Sequence, residues 1–173
     1  MSLVQPGLGT PISGVRIPQD FYWVLDRPAP LAGMRLPLSG FPWASLSAAG
    51  VSRVVALHPG RYDPSPLVLA FSQKLTDLVD GGSPKEPDRE VELVRNAVST
   101  TVTLLLEGQG VVVHCHGGRG RTGIVIGCTL RELGHDASLV VDFLDSLHKA
   151  RGKSGWPESP WQEELVRDWR ADA

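Results

Sequence analysis

The sequence predicts an α/β fold, with a central, mostly parallel sheet flanked by helices. Three observations carry that expectation. Short runs of β-branched residues, each stopped by Gly or Pro, recur in the first two-thirds of the chain. A long helical face lies between two of them, and helical periodicity dominates the last third.

The elements follow in order. Residues 1–20 are rich in Gly and Pro and read as an irregular arm, leaving 21–173 as a single domain. "FYWVLD" (Phe21 to Asp26) and "LAGMRLP" (Leu31 to Pro37) read as strands around a Pro-marked turn. "FPWASLSAAG" reads as a short helix stopped by Gly50, and "VSRVVALHPG" as a buried strand. "PLVLAFSQKL" fits a helix, and "KLTDLVDGGSP" a strand running into a Gly81-Gly82 turn. Ser83, Pro84 and Glu86 have capping-box spacing. Val91, Val94, Ala97, Val98, Thr101, Val102 and Leu105 then share one helical face, ended by Gly108 and Gly110. Val111 to Val113 is a strand, Arg121 to Leu133 a buried helix closed by Gly134, and two amphipathic helices complete the chain.

Bulk properties exclude several function classes. The chain has 173 residues, enough for one domain with a core, and a net charge of −2. No general basic field exists to attract nucleic acid or acidic membranes, so any anion site must be local. Two cysteines, Cys115 and Cys128, make no disulfide framework and suggest a reducing compartment. No signal-peptide pattern and no membrane-spanning run is visible, so a cytoplasmic protein is expected, and a monomer.

The chemistry concentrates in "GVVVHCHGGRGRTG", Gly110 to Gly123. A tight strand–turn–helix explains Gly117 and Gly118 but not Cys115, Arg121 and Thr122 together at a helix start. Gly118, Gly120 and Gly123 fit a dinucleotide fingerprint, but too few strand–helix units follow. No Gly-Lys-Ser/Thr of a nucleotide loop is present. His114, Cys115 and His116 are adjacent, and neighbouring strand residues point to opposite faces, so no metal site and no cofactor is expected.

A thiolate phosphate-binding loop fits best. Backbone N–H groups of His116, Gly117, Gly118, Arg119, Gly120 and Arg121, curled at a helix N-terminus, can cradle a dianion. Arg121 offers a planar fork for two oxygens. Cys115 lies below as nucleophile, where the same N–H groups stabilise negative charge on sulfur. Thr122 is placed to hydrogen-bond that sulfur.

"HCHGGRGRTG" resembles the signature of cysteine-dependent protein tyrosine and dual-specificity phosphatases. "LAGMRLP", "AAGVSRVVAL", "LVDGGSP" and "ARGKSGWPESPWQEEL" are similar to the kinase-associated (cyclin-dependent kinase inhibitor 3-like) branch. The resemblance implies a protein tyrosine phosphatase-like fold and hydrolysis of phosphorylated proteins or peptides through a cysteinyl-phosphate. It implies a carboxylic acid some thirty to forty residues before the cysteine; Asp80 is 35 before it, with Asp77, Asp88 and Asp63 as rivals. It implies that His114 orders the loop and that Gln162 positions the hydrolytic water. His116 and Arg119 shape the rim, where Arg119 would suit a second anionic group. A phosphoinositide or small-molecule phosphatase, and an idle phosphate-binding module, are the alternative readings.

Overall fold

The computed structural model describes residue 17 and residues 20–170 of the chain. Apart from Ile17 and Asp20, the expected N-terminal arm lies outside the described residues. Five strands form one sheet: β1 (Phe21–Leu25), β2 (Leu31–Met34), β3 (Val51–Ala56), β4 (Val68–Ser72) and β5 (Gly110–His114), in spatial order β1-β2-β5-β3-β4. Only β1 and β2 are antiparallel; β2–β5, β5–β3 and β3–β4 are parallel. The expected mostly parallel sheet is what forms. Strand β5 is central, and all five of its residues are buried, as its unbroken valine run requires.

Helices cover both faces. One core joins α2 (Pro87–Leu106), α3 (Gly120–Glu132), α4 (Ala137–Ala150) and α5 (Pro160–Asp168) to the sheet through Val94, Val98, Leu105, Ile124, Ile126, Leu144 and Val166. A smaller core on the other face sets α1 (Trp43–Ala48) against Ala32, Val54 and Val112 through Trp43 and Leu46. Helix α3 is buried almost throughout and Cys128 is fully inside it, where burial pushes its thiol pKa up. That is the environment of a small core residue, not of a reactive thiol. Among the described residues no helix is long and apolar enough to cross a membrane.

Three local expectations fail. Val68–Ser72 is strand, not helix: β3 has an open edge, and pairing with it outweighs a helical pattern in a short segment. Lys74 to Val79 is not a strand; Leu75 and Leu78 are buried three residues apart along an irregular segment. The capping box at Ser83 is not used. The helix starts at Pro87, and the residue before a proline is driven out of the helical region, so Glu86 sits at φ −123°, ψ 78°.

Candidate active site

The site forms where β5 ends. Gly118, at φ +75°, turns the chain within van der Waals reach of the end of β2; a Cβ there would lie 2.5 Å from the Met34 carbonyl carbon. Glycine is therefore required both by conformation and by close approach. Helix α3 starts two residues later, with Arg119 as its N-cap. Its first residues, Gly120 and Arg121, border a cavity of about 370 Å³. Cys115, His116, Gly117, Arg119, Gly120 and Arg121 line it from the loop, Asp77 and Val79 from a second segment, and Lys153, Ser154 and Glu158 from a third.

Cys115 is 2% exposed, and its Sγ accepts a hydrogen bond from the Gly118 N–H at 3.2 Å. Arg121 is also buried. Its Nη1 lies 3.2 Å from His58 Nδ1 and 3.4 Å from the Leu75 carbonyl oxygen, and its Nη2 lies 3.7 Å from Asp77 Oδ2. These contacts hold the guanidinium against the cavity. Partial burial, and then the charge of Arg121, lower the pKa of His58, which keeps that ring neutral and able to accept from the arginine.

His114 is fully buried beneath the loop. Its Nδ1 lies 3.0 Å from the Cys115 carbonyl oxygen and its Nε2 2.5 Å from the Tyr62 hydroxyl. Burial holds its pKa down to about 4, so the ring is neutral. With Nδ1–H donating to the carbonyl, Nε2 accepts from Tyr62. Burial raises the Tyr62 pKa to about 12, and the ring stacks on Trp43 with centroids 5.5 Å apart. The cysteine's carbonyl is thus fixed from the opposite face of the sheet.

The remaining expected residues are placed unevenly. Asp80 does not line the cavity. Its Oδ1 accepts from the Gly82 N–H at 3.0 Å in an exposed turn, whereas Asp77 lines the cavity. Asp63 holds Ser65 in a separate exposed turn, and Asp88 is in the first turn of α2. Arg119 is tied to the wall by Ser154 Oγ at 2.7 Å, the Gly155 carbonyl at 3.2 Å and Glu158 at 3.4 Å, so its charge is engaged. Gln162 is fully buried against Gly120; its Oε1 accepts from the Glu158 N–H at 2.8 Å. Thr122 is buried, and its hydroxyl has no hydrogen-bond partner among the described residues.

Sequence reasoning did not pick out Glu158, Lys153, Ser154, Tyr62 or Tyr22 as parts of the site. Each comes from a segment distant from the cysteine, and no local pattern marks it. Among the described residues, no group of three His, Cys, Asp or Glu side chains is arranged to hold a metal ion.

The comparisons agree with this architecture. The family described as "Swiss Army Knife protein, DSP-PTPase phosphatase domain" (PTP-SAK) matches residues 18–157. A curated relative, the putative tyrosine phosphatase 067L of Invertebrate iridescent virus 3, is 30% identical over 98 residues, 52% of this chain. That stretch spans only 40% of the viral protein. Among solved structures, the catalytic domain of the PP-IP phosphatase SIW14 from S. cerevisiae superposes with a TM-score of 0.61 at 15% identity, covering 91% of this chain and 89% of that one. A kinase associated phosphatase (KAP), with its catalytic cysteine replaced by serine, gives 0.60 at 17% identity over 82% and 86%. TpbA of P. aeruginosa gives 0.55 at 20% identity over 79% and 78%. At such identities the structural likeness speaks to the fold, while the family match covers most of the chain. The chain belongs to the family of dual-specificity and protein tyrosine phosphatase domains.

Proposed function

We propose that the protein hydrolyses phosphoesters through a cysteinyl-phosphate, with phosphotyrosine proteins or peptides as its main substrate class and phosphoserine and phosphothreonine as secondary ones. One observation carries the reading: Cys115 Sγ, the N-terminal turn of α3 and the Arg121 guanidinium border a single cavity. An oxyanion seated there meets N–H donors, a fork of two N–H groups and the cysteine sulfur below it.

The reaction runs in two displacements. The Cys115 thiolate attacks phosphorus, the S–P bond forms and the bond to the leaving oxygen breaks as Asp80 gives that oxygen its proton. Arg121 and the amides of residues 116–121 hold the equatorial oxygens. Water then gives its proton to the Asp80 carboxylate and attacks phosphorus; the S–P bond breaks and phosphate leaves. Gln162 beside Gly120 orients that water, and Thr122 supports the departing thiolate. No cofactor takes part. Asp80 must turn in by rotation of the segment around Gly81 and Gly82, next to the cavity-lining Val79.

The alternative substrate class is a phosphoinositide or other small phosphate with several anionic groups. Lys153 on the cavity wall favours it, but Arg119 is already engaged by Glu158. One solved structure of similar fold is PTPMT1 in complex with PI(5)P. Cys115 and Arg121 bordering one cavity, with Asp80 in the sequence to supply a proton, speak against an idle binding module. Phosphate release measured over phosphopeptides, phosphoinositides and inositol phosphates decides: the proposal expects phosphotyrosine peptides to give the highest kcat/KM, and a preference for inositol phosphates overturns it.

A further inference from the structure

Behind the loop, on the side away from the cavity, a second set of side chains converges on one carbonyl. The Tyr22 hydroxyl donates to the Gly118 carbonyl oxygen at 2.6 Å, and Arg151 Nη1 reaches the same oxygen at 3.3 Å. Tyr22 is on β1 and Arg151 follows α4, so they lie 96 and 33 residues from Gly118. The Arg151 guanidinium sits over the Tyr22 ring, 4.6 Å from its centroid. It is braced by His148 Nδ1 at 2.9 Å and by the carbonyl and carboxylate oxygens of Asp20, each at 3.4 Å.

The sequence makes room for this arrangement. Tyr22 pairs across the strands with Gly33, and a Cβ on Gly33 would strike the tyrosine ring. The missing side chain lets the ring lie across β2 and reach the loop that follows β5. Burial pushes the Tyr22 pKa upward, so the hydroxyl remains a donor over the working pH range.

The peptide joining Gly118 to Arg119 is trans, so its C=O and N–H point in opposite directions. Fixing the Gly118 carbonyl toward Tyr22 and Arg151 turns the Arg119 N–H the other way, toward the cavity. Holding that carbonyl restrains the ψ of Gly118, and on the other side of the same Cα the Gly118 N–H meets the cysteine sulfur. We propose that Tyr22 and Arg151 are positioning residues for the phosphate-binding loop: from outside the cavity they set the direction in which the loop's amides face the oxyanion. The proposal rests on the reading of this loop as an oxyanion site.

The test is vanadate binding and aryl phosphate kinetics on Tyr22→Phe, Arg151→Lys and Arg151→Met. Tyr22→Phe keeps the ring in its slot over Gly33 and removes only the donor. It is expected to weaken vanadate about tenfold and to lower kcat by a similar factor, with KM and thermal midpoint little changed. A misdirected amide costs most where charge on the phosphoryl oxygens is greatest. Arg151→Lys, which retains a cation able to donate, should stay closer to wild type than Arg151→Met. Wild-type kcat and vanadate affinity in Tyr22→Phe would overturn the proposal. A loss that follows only the unfolded fraction would also overturn it. If the wild-type protein itself fails to bind vanadate, the oxyanion reading falls, and this inference falls with it.

Discussion

Arg121 and Asp77 form an ion pair across the cavity, Nη2 to Oδ2 at 3.7 Å, with the arginine 5% and the aspartate 54% exposed. The guanidinium that would hold two phosphoryl oxygens is therefore already held, from one side, by a solvent-facing carboxylate. Pairs with a partner this exposed are weak, of the order of 0–1 kcal/mol. A phosphate dianion with two parallel hydrogen bonds should displace the carboxylate.

Asp77→Asn is accordingly expected to tighten phosphate or vanadate inhibition by no more than a few-fold and to affect all leaving groups alike. Asp80→Asn should behave differently. It should slow a phenyl phosphate or phosphotyrosine peptide by about 10²–10⁴ and an ester of a very acidic phenol much less, because only a basic leaving oxygen needs the proton. Rates across a series of aryl esters check both. If the leaving-group dependence appears in Asp77→Asn instead, Asp77 is the acid.

Arg121→Lys keeps the charge and loses the planar fork. The lysine cannot reproduce the contacts to His58 and Leu75 that aim the guanidinium. A fall in kcat of at least about 10²–10³ is expected, with weaker vanadate binding. A variant within a few-fold of wild type would mean that Arg121 does not hold the transferring group.

Stability should depend on pH through two buried histidines. Burial lowers the pKa of His114 to about 4 and that of His148 to about 3, against 6.5 for the free side chain. Between pH 4 and 6.5 the unfolded chain binds protons that the folded chain does not, so stability is full above about 6.5 and falls as pH drops. Each histidine contributes at most about 1.4 kcal/mol per pH unit in that window. Urea unfolding at pH 5 and pH 7 measures the difference. His114→Asn should reduce it, and an unchanged pH dependence would contradict the neutral, buried state of His114.

Gly118→Ala tests the tight turn itself. The alanine would need a φ near +75° and would press its Cβ into the backbone of Met34 and Arg35. Destabilisation above about 1 kcal/mol is expected in chemical unfolding, with loss of vanadate binding.

The parts of the site that the sequence reveals are those contiguous in it. His114 to Thr122 is one continuous stretch from the end of β5 through the loop into the first turn of α3, and its pattern is readable because residue types, spacing and the flanking strand and helix coincide. Tyr22, Tyr62 and Glu158 reach the same place only through sheet pairing and helix packing, which no local pattern encodes. Asp80 shows the limit in reverse: its spacing and its Asp-Gly turn are visible, but in the structure the turn directs its carboxylate to Gly82 rather than into the cavity. The short apolar run of β4 fits both periodicities, and only the open edge of β3 settles which forms. Helix α2 starts later than the Ser83 spacing suggests because Pro87 keeps Glu86 out of the helical region.

The cysteinyl-phosphate itself is tested most directly by denaturing a single turnover of a phosphotyrosine peptide at neutral to alkaline pH and locating the trapped phosphoryl group by peptide mass spectrometry. The adduct is expected on Cys115, formed and lost at rates compatible with turnover and absent in Cys115→Ser, which should be inactive yet folded. A phosphoryl group on another residue, or steady turnover by Cys115→Ser, would contradict it.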